Sequence, residues 1–219
     1  MTSLFANAAA ALAMLAVVGC GNASEDIRDA ETAAPTEEAG QATAQTGAAD
    51  TAPEGADVWT LDPAASSVTF TATQQGEEFT GRFDSFSADI RLDPENLSGA
   101  MIEARIDMAS VDAGSTDRND ALPTNDWFAV KKFPEATFQS SEITSLGGGQ
   151  YEAAGTLTIK GTSQPATLPF TLTIEGDTAM ATGTLELTRT DYNVGTGAYE
   201  DGKWVGLPVT VTVDITASR

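Results

Sequence analysis

The chain has 219 residues, and its 11 basic and 32 acidic side chains give a formal net charge of −21 at pH 7. Such a surface repels phosphate backbones, which argues against nucleic-acid binding. The chain has no histidine and one cysteine, which excludes Ser-His-Asp and Cys-His catalysis, zinc sites built on imidazole, haem held by histidine and intramolecular disulfides. We therefore expect no enzymatic activity, no metal site and no cofactor.

The first 19 residues have the features of an export signal. They carry no charged side chain, and the segment from Leu4 to Val18 is apolar, alanine-rich and of signal-peptide length. The segment Val17-Val18-Gly19-Cys20 resembles the bacterial lipoprotein box, in which the cysteine is diacylated and becomes the new N-terminus. This resemblance predicts a signal peptide over 1–19 and lipidation of Cys20, the alternative being a buried cysteine in a helix. Gly21 stands where inner-membrane retention favours Asp, so the same resemblance predicts an exported lipoprotein on the periplasmic face of the outer membrane.

Residues 20–57 form the next segment, which is rich in Ala, Thr, Glu, Gly and Pro. Ile27 is its only branched aliphatic residue, and nine acids against Arg28 leave it with a charge of −8. Because so little apolar surface can be buried, we predict a disordered acidic tether that spans roughly 30 to 37 Å, the alternative being a weak alanine-rich helix. Subtracting −8 from −21 leaves −13 for residues 58–219, which have the length of one domain.

From residue 58 onward, apolar and polar residues alternate with a period of two, which is typical of strands that bury one face. The clearest runs are Phe86 to Leu92, Ile102 to Met108, Leu168 to Ile174 and Val209 to Ile215. Turn-forming residues separate the runs, and no long helical pattern occurs. The pattern predicts an all-β domain of about eight or nine antiparallel strands, as a sandwich or a closed barrel.

Residues 109–134 interrupt the strand pattern with a polar stretch. We predict a loop with a short helical part around 116–130, in which Thr124 or Asn125 caps a second turn. The loop contains the apolar pair Trp127-Phe128, and such loops commonly close or line a barrel mouth.

Several motifs of residues 58–219 together resemble one known family, the YceI-like proteins. They are the segments 106–114, 117–122, 125–128, 132–134, 137–140, 155–162 and 189–195. Members of that family have a lipocalin-like fold of eight antiparallel strands around a long apolar pore, and they bind polyisoprenoids or other long-chain amphiphiles. The resemblance therefore implies a single antiparallel lipocalin-like barrel over 58–219.

The expected ligand-binding residues are mostly large and apolar. Their side chains supply walls for a pore, or alternatively a packed core. They are Phe70, Phe83, Phe86, Ile106, Trp127, Phe128, Phe133 and Phe138.

Arg118 is the candidate for contact with a polar head group. Members of the family commonly have His where this chain has Ala121, and an acid where it has Asn119, so a guanidinium is the best remaining donor. The alternative is a structural bond from Arg118 to Asp112, Asp117 or Asp120.

These observations predict a lipid-anchored periplasmic carrier or reservoir for a long-chain isoprenoid, an isoprenoid quinone, a fatty amide or another amphiphilic lipid. The chain would contact the membrane through acylated Cys20, and a homodimer is left open. The alternative is a stress-protective or protein-interaction module with a mostly filled barrel, acting through the 109–134 loop. A continuous apolar cavity longer than about 12 Å would favour the carrier.

Overall fold

The computed structural model describes residues 56–219. The predicted signal peptide, Cys20 and the tether as far as residue 55 lie outside the described residues. The described part contains one α-helix, α1 (Thr116–Ala121), and short 3-10 turns at Met108–Ser110, Arg189–Tyr192 and Gly197–Tyr199. Its strands are β1 (Val58–Leu61), β2 (Ser67–Gln74), β3 (Glu77–Phe83), β4 (Phe86–Arg91), β5 (Met101–Asp107), β6 (Val111–Asp112), β7 (Glu135–Gly147), β8 (Gln150–Ile159), β9 (Thr162–Glu175), β10 (Thr178–Thr188) and β11 (Pro208–Ser218).

The strands form a closed antiparallel barrel with eight strand positions. Three of these positions are each formed by two consecutive segments, namely β1 with β2, β3 with β4, and β5 with β6. The first and second positions pair through β1 with β4 and through β2 with β3. The second and third positions pair through β4 with β5 and through β3 with β6. Strands β7 to β11 follow in chain order. The ring closes because β11 pairs with both β2 and β1. The predicted all-β barrel is confirmed.

The alternating sequence pattern explains which side chains face the interior. In β9, Leu168, Phe170 and Leu172 contribute to the interior lining, whereas Pro169 and Thr171 are exposed. The same alternation holds on β11, where Val209 and the alternate residues after it face inward. Burial of one face therefore fixes the register, since a shift of one residue would expose every apolar side chain.

The 109–134 loop contains a single short helix. The Ser115 hydroxyl caps α1 by accepting a hydrogen bond from the Arg118 backbone N–H (3.3 Å). The backbone carbonyl of Thr124 then accepts the N–H groups of Trp127 (3.1 Å) and Ala129 (2.8 Å), which makes a compact turn in place of a second capped helix. Within residues 56–219, no helix has the length and hydropathy needed to cross a membrane.

Strands β9 and β10 pair over only part of their length. Their ladder runs from Thr178 opposite Glu175 to Gly183 opposite Phe170. Beyond that point, residues 162–169 of β9 pair with β8, and residues 184–188 of β10 pair with β11. The barrel wall therefore has a break between these two strands.

Candidate ligand cavity

The barrel encloses an apolar cavity of about 250 Å³. Its lining extends along β11 from Val209 to Ala217 and along β10 from Ala179 to Leu187. Eight residue steps correspond to about 27 Å along a strand. Barrel strands tilt by roughly 40°, so the lined length along the barrel axis is roughly 20 Å.

Small side chains create this space. Ala88, Ala104, Ala179, Ala181 and Gly183 all line the cavity. In the described part of the chain, no large side chain is less than 2% exposed. The inward residues of β11 before Ala217 are likewise only half-buried, as expected when side chains face an open interior rather than a filled core.

One end of the cavity lining is tightly packed. Trp59, Leu92 and Ala217 meet there, and each is about 3% exposed. The Trp59 indole N–H donates to the Leu92 carbonyl (2.8 Å), and the Arg219 guanidinium lies 4.8 Å from the ring centroid. A ligand chain would therefore end against an aromatic ring.

Six of the predicted ligand-binding residues line the cavity. Phe70 and Phe83 have ring centroids 5.6 Å apart, and Phe83 and Phe128 are 6.2 Å apart, so they form a continuous aromatic wall. The complete set in the lining is Phe70, Phe83, Phe86, Ile106, Phe128 and Phe138.

The structure places Trp127 and Phe133 outside the cavity lining. Trp127 is buried beside Tyr199, with ring centroids 5.1 Å apart. Phe133 lies against Gly161 and below the Lys132 ammonium group, which is 4.9 Å from its ring centroid. The pair Trp127-Phe128 is therefore divided between two environments.

Arg118 also lies outside the cavity lining. Its Nε donates to the Ala113 carbonyl (2.7 Å), its Nη1 donates to Gln74 Oε1 (3.1 Å), and its guanidinium stacks 4.4 Å from the Phe79 ring centroid. None of the ion pairs among the described residues includes Arg118. Its contact with a ligand head group stays a prediction.

One carboxylate of the 109–134 loop, that of Asp112, is held by local donors. The Asp112 carboxylate accepts the Gly114 backbone N–H (3.0 Å) and the Asn119 side-chain amide (3.1 Å), and it pairs with Arg82 (2.8 Å). The hydrogen bond from Gly114 lowers the pKa of Asp112 the most, and the hydrogen bond from Asn119 lowers it further. Within residues 56–219, no cluster of three or more His, Cys, Asp or Glu could hold a metal ion.

Arg189 is a functional candidate that sequence reasoning missed. It lines the cavity at the end opposite Trp59, although it is only 3% exposed. All five of its N–H groups are directed at backbone carbonyls, namely those of Val194, Gly195, Tyr199, Val205 and Gly206. Burial lowers the pKa of Arg189, while the charge of Asp201 acts in the opposite direction. Arg189 therefore ties the 189–207 segment over this end of the barrel and has no donor left for a ligand.

Tyr192 lies beside Arg189 and also lines the cavity. It is 4% exposed. Among the described residues, none forms a hydrogen bond with its hydroxyl. No polar side-chain atom of these residues is both fully buried and without a partner, so the Tyr192 oxygen is reachable from open space. Burial, followed by the charge of Asp191, raises the pKa of the Tyr192 hydroxyl, so it remains a protonated donor.

A closed antiparallel barrel of eight strands around an apolar cavity defines a lipocalin-like protein. The model of the YceI-like domain family matches residues 59–217. The chain belongs to the YceI-like family, and the resemblance seen in the sequence is confirmed.

Relatives and solved structures agree with this assignment. A UPF0312 protein of Vibrio parahaemolyticus is 28% identical over 146 residues, which cover 62% of this chain and 77% of the relative. The crystal structure of Burkholderia cenocepacia BcnA is similar with a TM-score of 0.70 and 36% identity, over 72% of this chain and 99% of BcnA. A polyisoprenoid binding domain from Saccharophagus degradans has a TM-score of 0.58 at 18% identity, over 73% of this chain and 97% of that domain, and this likeness concerns the fold alone.

Proposed function

We propose that this protein is an exported, lipid-anchored carrier or reservoir that holds a long-chain apolar ligand, such as a polyisoprenoid, an isoprenoid quinone or a fatty amide, inside its barrel. The observation that carries the proposal is the apolar cavity of about 250 Å³. Each CH₂ group that a ligand buries contributes about 0.8 kcal/mol, so a chain of about ten carbons gains roughly 8 kcal/mol before ordering costs. Apolar burial alone supplies this affinity, so no catalytic residue is required.

The cavity also weighs against the alternative of a mostly filled barrel. Its roughly 20 Å length exceeds the 12 Å or so expected to distinguish a carrier from an interaction module. The solved domain from Saccharophagus degradans, which is described as polyisoprenoid binding, gives a precedent for the ligand class on the same fold.

The location of the protein is a separate part of the proposal. The lipoprotein box ending at Cys20 supports export, acylation and attachment to the outer membrane on its periplasmic face. Two acyl chains are needed for stable anchoring, which agrees with a diacylated cysteine. The charge of −8 on residues 20–57 would hold the barrel away from anionic lipids.

Filling the cavity tests the carrier function. Ala181→Phe places a large side chain in the lining, and Met180→Phe adds the same ring on the outer face, because Met180 is 43% exposed. We expect Ala181→Phe to weaken binding of geranylgeraniol at least tenfold, measured by displacement of N-phenyl-1-naphthylamine, while Met180→Phe leaves it unchanged. In a filled core, the overpacked variant would lose about 1–3 kcal/mol of stability, whereas an open cavity accommodates the ring. Unchanged binding by Ala181→Phe, or its failure to fold, would contradict the proposal.

A further inference from the structure

The break between β9 and β10 opens a recess on the side of the barrel. We call this recess the side slot, and it is lined by residues 164–167, residues 185–188, Asp191, Tyr192 and Pro208. Leu185, Leu187 and Tyr192 line both the side slot and the interior cavity. These three side chains therefore stand at the boundary between the outside and the cavity.

The sequence keeps this part of the wall unpaired. The Pro169 carbonyl lies 3.0 Å from the position that a Cβ would take on Gly183, so the backbone of Pro169 faces β10. A strand residue points its N and its carbonyl to the same side, and proline has no N–H to donate. The ladder accordingly ends at the Gly183 and Phe170 pair. Pro165, four residues earlier, faces the same side and removes a second donor.

The far end of the side slot is held by hydrogen bonds. Gln164 donates to the Asp191 carbonyl (3.1 Å), and the Asn193 side-chain amide donates to the Thr162 hydroxyl (3.0 Å). Lys160 donates to the Asn193 carbonyl (2.6 Å). The side slot is thus bounded at both ends, and the four residue steps from Pro165 to Pro169 give it a length of about 14 Å.

The chemistry of the side slot differs from that of the cavity. Among residues 56–219, its lining includes the carboxylates of Glu186 and Asp191 and no basic side chain. The neighbouring Arg189 directs every N–H at a backbone carbonyl. Tyr192 lines both spaces, and its hydroxyl forms no hydrogen bond with another described residue. This arrangement disfavours an anionic group and suits an uncharged oxygen that accepts a hydrogen bond.

We propose that the ligand enters and leaves sideways through the side slot, and that the bound ligand places its tail in the cavity and an uncharged, hydrogen-bond-accepting head at Tyr192. This inference rests on the proposed carrier function and adds the access route and the class of head group. Leu185 and Leu187 would contact the first carbons of the tail, because they line both spaces.

A matched series of ligands tests the class of head group. Geranylgeranial, geranylgeranyl phosphate, geranylgeranylamine and phytane would be titrated against the wild-type chain and Tyr192→Phe. We expect the wild type to bind the aldehyde at least tenfold more tightly than the phosphate, because the two carboxylates of the side slot repel an anion. Tyr192→Phe should weaken aldehyde binding about tenfold, as loss of one hydrogen bond predicts, and leave phytane binding unchanged. Tighter binding of the phosphate or the amine, or equal loss for aldehyde and phytane, would overturn the head-group assignment.

Blocking the side slot tests the access route. In a Cys20→Ala chain, which has no other cysteine, Thr167→Cys would carry a polyethylene-glycol maleimide at the side slot. Thr144→Cys would carry the same label on the exposed outer face of β7. The probe N-phenyl-1-naphthylamine has no head-group oxygen. Its rates of association and dissociation therefore depend on passage through the side slot and not on a head-group contact. We expect the Thr167→Cys label to slow association and dissociation at least tenfold, and the Thr144→Cys label to change neither. Equal rates for the two labelled chains would overturn the route, whereas absence of binding to the unlabelled wild type would instead refute the carrier function.

Discussion

Two arginines show how burial decides what a guanidinium does in this protein. Arg118 bonds one carbonyl and one side-chain amide and stacks on Phe79. Arg189 is 3% exposed and reaches five carbonyls. A buried cation without a carboxylate partner is stable only when its donors are satisfied. Arg189 therefore organises the loop beside the cavity, and its N–H groups are all used by carbonyls of that loop.

The adjacent residues Trp127 and Phe128 should respond differently to truncation. Trp127 packs on Tyr199 and lies 5.5 Å from the Arg189 guanidinium, whereas Phe128 lines the cavity. We expect Trp127→Ala to cost about 3–5 kcal/mol of unfolding free energy with little change in affinity for molecules that remain folded. Phe128→Ala should weaken geranylgeraniol binding more than stability. Urea unfolding and ligand titration of both variants check this, and the reverse pattern would contradict the assignment.

At the scale of strands, the sequence predicts most where alternation is uninterrupted. The runs that became β4, β5, β9 and β11 could be recognised because their inward residues keep one phase. In β7 the inward residues are Ala136 and Phe138, and then Ile143, because a bulge between Ser140 and Glu142 shifts the phase. Alternation of period two in the sequence does not show where a bulge inserts an extra residue, so it cannot predict this shift.

The candidate site was predictable to a smaller extent than the strands. Aromatic residues on regular strands, such as Phe70 and Phe138, could be placed on the inward face by alternation and resemblance. The partners of Arg189 are backbone carbonyls of loop residues, and no residue type encodes a carbonyl acceptor. The side slot did leave a signal, since Pro165 and Pro169 occur within a single strand and proline is confined to unpaired positions of a sheet.

The loop that carries α1 yields a prediction about charge. Asn119 donates to Asp112 and accepts the Ala113 N–H (2.7 Å). Asn119→Asp would place a second carboxylate against Asp112, which raises the pKa of the new acid above its unfolded value of about 3.9. Destabilisation is then fully present above the raised pKa and disappears as pH falls below the unfolded value.

Melting temperatures of Asn119→Asp and the wild type, compared between pH 7 and pH 3, check this expectation. The variant should melt at a lower temperature at pH 7, and the difference should shrink at pH 3. Asp117→Asn, which removes a carboxylate from the first turn of the same helix, controls for a general charge effect. A difference that does not depend on pH would contradict the role assigned to Asn119.

At the scale of the whole molecule, the described residues form a closed unit with a built-in cavity. Asp57 already belongs to it, because its carbonyl accepts the Leu92 N–H (2.9 Å) and its carboxylate pairs with Arg219. Among residues 56–219, the residues that line the cavity all belong to this unit. Membrane attachment and ligand binding should be separable properties of the chain.

Replacing Cys20 tests this separation. We expect the wild-type chain to fractionate with membranes and Cys20→Ala to move to the soluble periplasmic fraction. The net charge of −21 gives the unacylated chain no attraction to anionic lipids, and an acylated cysteine supplies about 0.8 kcal/mol per buried CH₂. Both chains should keep the same melting temperature and the same affinity for geranylgeraniol, because the substitution changes none of the residues of the barrel strands, which begin at Val58. Cys20→Ser serves as a second unacylated control, and mass spectrometry of the wild-type N-terminal peptide should show at least two acyl chains. Membrane retention of Cys20→Ala together with an unmodified wild-type peptide would refute the anchor and leave the binding barrel to be judged on its own measurements.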